Sequence, residues 1–297
     1  MCNTMYIIAY HGKRENEEGR NKRLENHNNQ IEWWLDYDPK LQLNILAMDY
    51  DDSDYYEHER VTYVDKLDSP IPPASARNRL LELFYNSDEE WAIFADSDAI
   101  LNQHEKFPHT HVNICEALQN FPDNFNGVDL FWPHWDGRPG DGAFYDKFNN
   151  VDPKYNRVNW EDTLRFDRKF GSMKGTLFFL RNNKQRVMMD ESFNGDSKII
   201  PGEDDEFSIA CAVNGLGTYI LRNIMLKEFT APSTHAGEQN TRKEEMAKGD
   251  VIICNKYKLP NDRGKWSKVI KSDRTNSPAT VEIPFTKKVE KNLLFDF

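Results

Sequence analysis

The chain is poor in the features that settle a protein's class at a glance. Its 297 residues hold only four cysteines, Cys2, Cys115, Cys211 and Cys254, scattered with neither a disulfide-framework rhythm nor the spacing of a zinc site. This pattern reads as reduced thiols and argues against a disulfide-stapled secreted scaffold. No window approaches the roughly 18 apolar residues of a membrane span, and no basic stretch followed by an apolar core resembles a secretory signal. The expectation is a protein with no integral membrane association that stays in the cytoplasm. Internal repeats and low-complexity segments are missing too. So is a glycine-rich phosphate cradle: the loop after the first apolar run, His11-Gly12-Lys13-Arg14, has one glycine.

Charge is present, and unevenly spread. The net charge is -11, yet from Thr241 onward 13 Lys and Arg face 8 Asp and Glu. An acidic body with a basic tail suggests that the tail meets something anionic. The run Arg263, Lys265, Trp266, Lys268, Lys271, Arg274 has the composition that follows a phosphate backbone and stacks a base. A solvated surface without a partner fits the same residues.

Apolar patterning predicts an α/β chain. Strands are expected at Met5–Tyr10, Leu43–Met48, Val61–Val64 and Trp91–Ala95, with helices over about 21–35 and from Ser75, as its cap, to Tyr85. This alternation is that of a doubly wound sheet. The second half is less regular. It has strands near Val128–Trp132, Gly175–Leu180 and Thr218–Met225, a helix from about Asp205 to Asn214 closed by Gly215, and a loop-rich stretch from Pro133 to Lys174. Loops of that length are usually functional or disordered, and the aromatics Trp135, Tyr155 and Trp160 argue against disorder.

Three polar groups stand out. Trp91-Ala92-Ile93-Phe94-Ala95 is a buried strand that runs into Asp96-Ser97-Asp98. Open α/β sheets bind ligands at the carboxyl ends of their strands. Two acids one residue apart there can hold a hard divalent cation, which grips phosphate oxygens. Asp36-Tyr37-Asp38, Asp49-Tyr50-Asp51 and Asp52-Ser53-Asp54 have the same spacing but do not end so strongly apolar a run. Glu203-Asp204-Asp205-Glu206 opens a helix, where acids are favoured in any case, but mutual repulsion would raise at least one pKa if the cluster is partly buried. His235 lies in a loop after the last long strand. His104, His109 and His111 lack companion ligands at zinc spacing and read as a surface loop. Trp132 and Trp135 suit either a core or a sugar face.

Taken in order, these residues resemble the GT-A nucleotide-sugar glycosyltransferases, especially the family 2-like and β-1,4-galactosyltransferase-like inverting enzymes. The resemblance runs from Tyr6-Ile7-Ile8-Ala9-Tyr10 through Ser75-Ala76-Arg77-Asn78-Arg79, Phe94-Ala95-Asp96-Ser97-Asp98 and Gly202-Glu203-Asp204-Asp205-Glu206-Phe207 to His235. It implies a GT-A, Rossmann-like, mixed and mainly parallel sheet with helices on both faces and a loop-rich acceptor half. The implied organisation is a catalytic domain over 1–240 (nucleotide-sugar half 1–101, acceptor half 102–240) followed by a basic extension over 241–297.

The resemblance also implies roles. Asp98, with Asp96 on the metal or the ribose, and His235 would bind Mn2+ or Mg2+. Tyr10, Arg14, Asp49, Arg77 and Asn78 would contact the donor, a UDP-sugar by expectation. Asp204, or failing it Asp205, would be the general base, and Glu203 would hold hydroxyls. A glycan, a lipid-linked sugar or a hydroxymethylated or glycosylated cytosine in phage DNA could be the acceptor, in the last case in the host cytoplasm. The chain departs from the galactosyltransferase pattern at Ile200-Pro201-Gly202, where Trp-Gly-Gly is common, which leaves the sugar open. A nucleotidyltransferase, or a catalytically silent carbohydrate-binding module, is the alternative reading of the same acids.

Overall fold

The structure, a computed structural model, describes residues 2–12, 16–102, 113–135, 163–171, 173–194, 200–229, 239–270 and 278–284. The first strands form as their apolar runs predict: β1 (Thr4–Tyr10), β2 (Gln42–Met48), β3 (Val61–Leu67) and β4 (Trp91–Asp96). β1 lies between β2 and β4, parallel to both, and β3 adds parallel to β2. The carboxyl ends of these strands therefore share one edge.

Beyond β4 the sheet turns mixed. β5 (Ala99–Asn102), β6 (Leu130–Trp135), β7 (Thr163–Arg168), β8 (Leu177–Arg181), β9 (Thr218–Glu228) and β10 (Thr280–Pro284) give the order β10-β7-β9-β6-β8-β4-β1-β2-β3, with β5 paired to β9. β8 is antiparallel to β4 and β6 antiparallel to β8, so β6 points the same way as β4, and β9 runs parallel to β6. The mixed α/β sheet expected from the sequence is thus present, its parallel half at β4-β1-β2-β3. β7 falls inside the stretch expected to be loop. β10 brings the C-terminal region into the same sheet by pairing with β7.

Strand alternation divides the core. Met5, Ile7 and Ala9 of β1, with Trp91, Ile93 and Ala95 of β4, pack on Ile31, Trp34 and Leu35 of α1 (Glu17–Tyr37) and on α3 (Ile114–Asn120). Tyr6, Ala92 and Phe94 face the other way, onto Leu80, Leu81 and Phe84 of α2 (Pro73–Tyr85) and Phe207 and Cys211 of α4 (Glu203–Val213). Each fully buried side chain of this size contributes about 1.5–3 kcal/mol. A third cluster joins the outer face of α4, through Ile209 and Ala212, to Ile253 and Cys254 of α5 (Gln239–Tyr257) and to Trp266 at the start of the short helix α6 (Trp266–Val269).

Two local expectations change. α2 begins at Pro73, not behind a Ser75 cap, because the fixed φ of proline suits the first helical position; the Ser75 hydroxyl instead accepts from Asn194 Nδ2 at 2.8 Å. The expected core-or-sugar choice at Trp132 resolves to core, since it is 1% exposed. Among the described residues no helix is long and apolar enough to cross a membrane.

Candidate active site

The alternation of β4 turns the Asp96 side chain to the α2 face, where Arg77 waits. Arg77 is 4% exposed and donates through Nη2 to Asp96 Oδ1 at 2.8 Å and to the Gly175 carbonyl at 3.0 Å. Its Nη1 reaches the Ala95 carbonyl at 3.2 Å. Arg77 is therefore committed to the end of β4. Desolvation pushes the Asp96 carboxyl above its usual range; Arg77 opposes this, and Glu228 and Asp204 add to it by repulsion. Glu228 is an acid the motif reading missed. Ladder pairing sets it opposite Ala99, and the next residue's amide, Phe229 N–H, donates to the Asp98 carbonyl at 2.8 Å.

The second acid group arrives on α4. Gly202 precedes the helix at φ 122°, a conformation that a side chain would strain, and an added Cβ would lie 3.3 Å from Phe193 Cε1. Glu203 Oε2 accepts the Gly202 N–H at 3.0 Å. Asp204 Oδ1 accepts the Asp205 N–H at 2.8 Å and Oδ2 the Gly175 N–H at 3.2 Å. Gly175 thus gives its N–H to Asp204 and its carbonyl to Arg77, so one residue before β8 ties the α4 acids to Asp96. Burial pushes the Glu203 carboxyl up to about 7, with repulsion from Asp204 and Asp96 adding to it and the Glu203 and Gly202 amides pulling back. A carboxylate with a pKa near 7 accepts protons efficiently at neutral pH.

The next two acids turn away. Asp205 is buried and takes a charge-assisted bond from Arg263, which also grips Asp250 on α5. Glu206, 1% exposed, is held by Lys256 Nζ at 2.7 Å and by the Tyr257 hydroxyl. Of the four consecutive acids, two face the sheet edge and two lock the helix to α5. This arrangement draws two residues of the tail's basic and aromatic run, Arg263 and Trp266, into the fold, while Lys268 stays exposed. Arg263 is occupied by Asp205 and Asp250, and Trp266 is a core residue at 2% exposure whose indole N–H donates to the Pro260 carbonyl. Lys265 pairs with Asp262, and Lys271 and Arg274 lie outside the described residues.

Tyr10 and Asp49 lie at the carboxyl ends of β1 and β2, beside the end of β4. The Arg23 guanidinium stands 5.4 Å from the Tyr10 ring centre. Asp49 is buried at φ 57°, a left-handed conformation that Asp tolerates better than most residues. Asn78 is not brought to this edge: its amide exchanges hydrogen bonds with the Met189 backbone and reaches Glu191 Oε1 at 2.9 Å. Arg14, His235, Trp160 and the histidines at 104, 109 and 111 lie outside the described residues.

Sequence reasoning also passed over a polar cluster on the α1 side. His11 is fully buried, its ring stacked on Tyr50 at 3.4 Å between centres and its Nδ1 3.7 Å from Asp54 Oδ2. His27 and Gln30 are fully buried as well. The available signal was their place on α1: Gln30 sits among Ile31, Trp34 and Leu35, on the buried side of the helix.

The donor set suits a hard cation. The Asp96 side chain is about half exposed, Asp98 is partly exposed, and both present oxygen. Among the described residues no three His, Cys, Asp or Glu side chains could hold an ion by themselves. Mg2+ is commonly held by one or two carboxylates and completes its shell with water and substrate phosphate.

No protein-family model matches the chain, and no curated protein matches it. Solved structures do. A mannosyltransferase from Pyrobaculum calidifontis in complex with GDP-Man and Mn2+ superposes over 86% of this chain at 15% identity, with a TM-score of 0.50. The chain spans 65% of that protein's length. A candidate nucleotide-diphospho-sugar transferase from Desulfovibrio desulfuricans matches over 86% of this chain and 98% of its own at 8% identity, with a TM-score of 0.41. The protein has the GT-A, Rossmann-like fold that its sequence motifs imply.

Proposed function

We propose that the chain is a metal-dependent glycosyltransferase that moves a sugar from a nucleotide-sugar, with a UDP-sugar as first candidate, to an acceptor hydroxyl with inversion. One juxtaposition carries the reading: Asp96 at the end of β4 and Asp204 at the start of α4 are tied through Arg77 and Gly175 at one sheet edge. Held by Asp98, Asp96 and His235, Mn2+ or Mg2+ would neutralise charge on the departing diphosphate. Tyr10 and Asp49, at the ends of β1 and β2, would meet the base and ribose, the role that the sequence resemblance also gives Arg14. Asp204, oriented by two backbone amides, takes the proton of the acceptor hydroxyl as that oxygen attacks the anomeric carbon opposite the leaving nucleotide. Glu203 holds donor or acceptor hydroxyls.

A specific observation favours a second assignment of the base: burial pushes the Glu203 carboxyl up to about 7, where a carboxylate accepts a proton efficiently at neutral pH. Asp205 is the weaker candidate, because Arg263 occupies it. For the acceptor we favour a glycan or lipid-linked sugar in the cytoplasm over modified DNA, since Trp266 and Arg263 serve the interior. Thermal shift against UDP-, GDP-, ADP- and CMP-sugars, each with and without Mn2+, tests the reading. A manganese-dependent rise with one nucleotide class is expected. No rise with any of them would leave the binding module or the nucleotidyltransferase as the better account.

A further inference from the structure

The turn that carries the two candidate metal ligands is gripped from behind by α1. β4 ends at Asp96: its N–H bonds the Thr176 carbonyl at 2.9 Å, and three residues later, at Ala99, the chain enters β5 to pair with β9. Asp96 still stands opposite Ile8 of β1 and Ala99 opposite Glu228 of β9, and the carbonyls of both are within reach of α1. Gln30 takes up both, its Nε2 donating to the Asp96 carbonyl at 2.5 Å and to the Ala99 carbonyl at 2.9 Å. Trp34, one turn further along α1, donates its indole N–H to the same Ala99 carbonyl at 3.0 Å. His27, one turn earlier, sets the Gln30 amide: its Nδ1 lies 3.3 Å from Gln30 Oε1, so an Nδ1–H there fixes which end of the amide faces the turn. All three side chains are fully buried.

We propose that Gln30 is a positioning residue for the Asp96-Ser97-Asp98 turn. By holding the carbonyls on either side of the turn, it sets the angle at which the Asp96 carboxylate leaves the sheet, on the face opposite α1, and the path of the turn that carries Asp98. Without the amide, the Asp96 carbonyl loses its partner, and the turn must rotate to find one, carrying the carboxylates with it. The inference rests on the reading that these carboxylates hold a divalent cation.

The test is Mn2+ binding to the intact chain, read as loss of the free-ion EPR signal, alongside thermal unfolding. Gln30→Leu removes both donated bonds at similar volume and is expected to weaken Mn2+ binding at least tenfold. Trp34→Phe keeps most of the ring packing, removes one bond to Ala99, and is expected to weaken binding severalfold. Ile31→Val, a buried truncation on the same helix, should lower the melting temperature and leave Mn2+ affinity unchanged. Wild-type affinity in folded Gln30→Leu, or a loss no greater than that in Ile31→Val, overturns the inference. If Gln30→Leu does not fold, unchanged affinity in Trp34→Phe overturns it. A wild-type chain that takes no Mn2+ overturns the donor-site reading as well.

Discussion

Acidification should strain the protein at His27, and the size of the effect follows from its burial. The imidazole is 0% exposed and its pKa is lowered to about 4, chiefly by desolvation, with the Gln30 contact and the Ser97 carbonyl opposing. In the unfolded chain the same group titrates near 6.5. Below that value the unfolded state binds a proton that the folded state refuses, so stability is lost as pH falls from 7 through 6.5 towards 4. At about 1.4 kcal/mol per unit, the loss reaches about 2 kcal/mol by pH 5 and about 3.4 kcal/mol once pH passes the folded pKa. His11, lowered to about 2 and equally buried, adds a parallel loss. Glu203 works in the opposite direction, since a carboxyl raised to about 7 makes the folded state the better proton acceptor between pH 7 and 4.5. Urea unfolding of wild type and His27→Gln, followed by tryptophan fluorescence at pH 7 and pH 5, separates these contributions. His11 and Glu203 are common to both proteins, so the stability gap between them should shift by about 2 kcal/mol in favour of the variant on acidification. A gap that stays constant between the two pH values would refute the reasoning.

Three further outcomes are expected. Asp98→Ala should abolish Mn2+-dependent nucleotide binding, read by calorimetric titration with and without metal, while leaving the free energy of unfolding within about 1 kcal/mol of wild type in urea, because the side chain is partly exposed. Asp204→Asn should keep donor binding and lose transfer by roughly 100-fold or more, whereas Asp205→Asn should keep transfer and lose about 1–3 kcal/mol of stability with its Arg263 pair; full turnover in Asp204→Asn would move the base to Glu203. Gly249→Ala puts a Cβ 2.0 Å from the Pro201 carbonyl oxygen, a backbone atom that cannot swing aside, and should cost at least about 1–3 kcal/mol in chemical denaturation.

What was legible in the sequence was local. The strands at the centre of the sheet are short apolar runs, and Asp96-Ser97-Asp98 and Glu203-Asp204 stand out because acids interrupt or follow such runs. What escaped was set by distant packing. α5 is polar along most of its length, and its inward residues, Ile253 and Cys254, are too sparse to mark a face in advance. β7 lies in an aromatic, glycine-rich stretch that reads as loop, and its strand character comes from pairing with β9 and β10. Arg77 and Asn78 match a motif, but their hydrogen bonds reach Gly175 and Met189, about a hundred positions away. Gln30 meets Asp96 across 66 positions, and a buried glutamine has no compositional mark.

The opposed orientation of the four acids on α4 has a mechanical consequence. A helix held at Asp205 and Glu206 by Arg263, Lys256 and Tyr257 is clamped on its outer side, while Glu203 and Asp204 stand on its working side. Shortening the chain ahead of α5 would remove three donors and leave two carboxylates enclosed with no counter-charge from that helix. The helix would then turn to hydrate them, and because all four acids share its first turn, the working pair would turn with it. The C-terminal region thus acts as a vice for the pair proposed to accept the proton, and on that proposal a change some distance from the sheet edge would register there as lost turnover before it registered as unfolding.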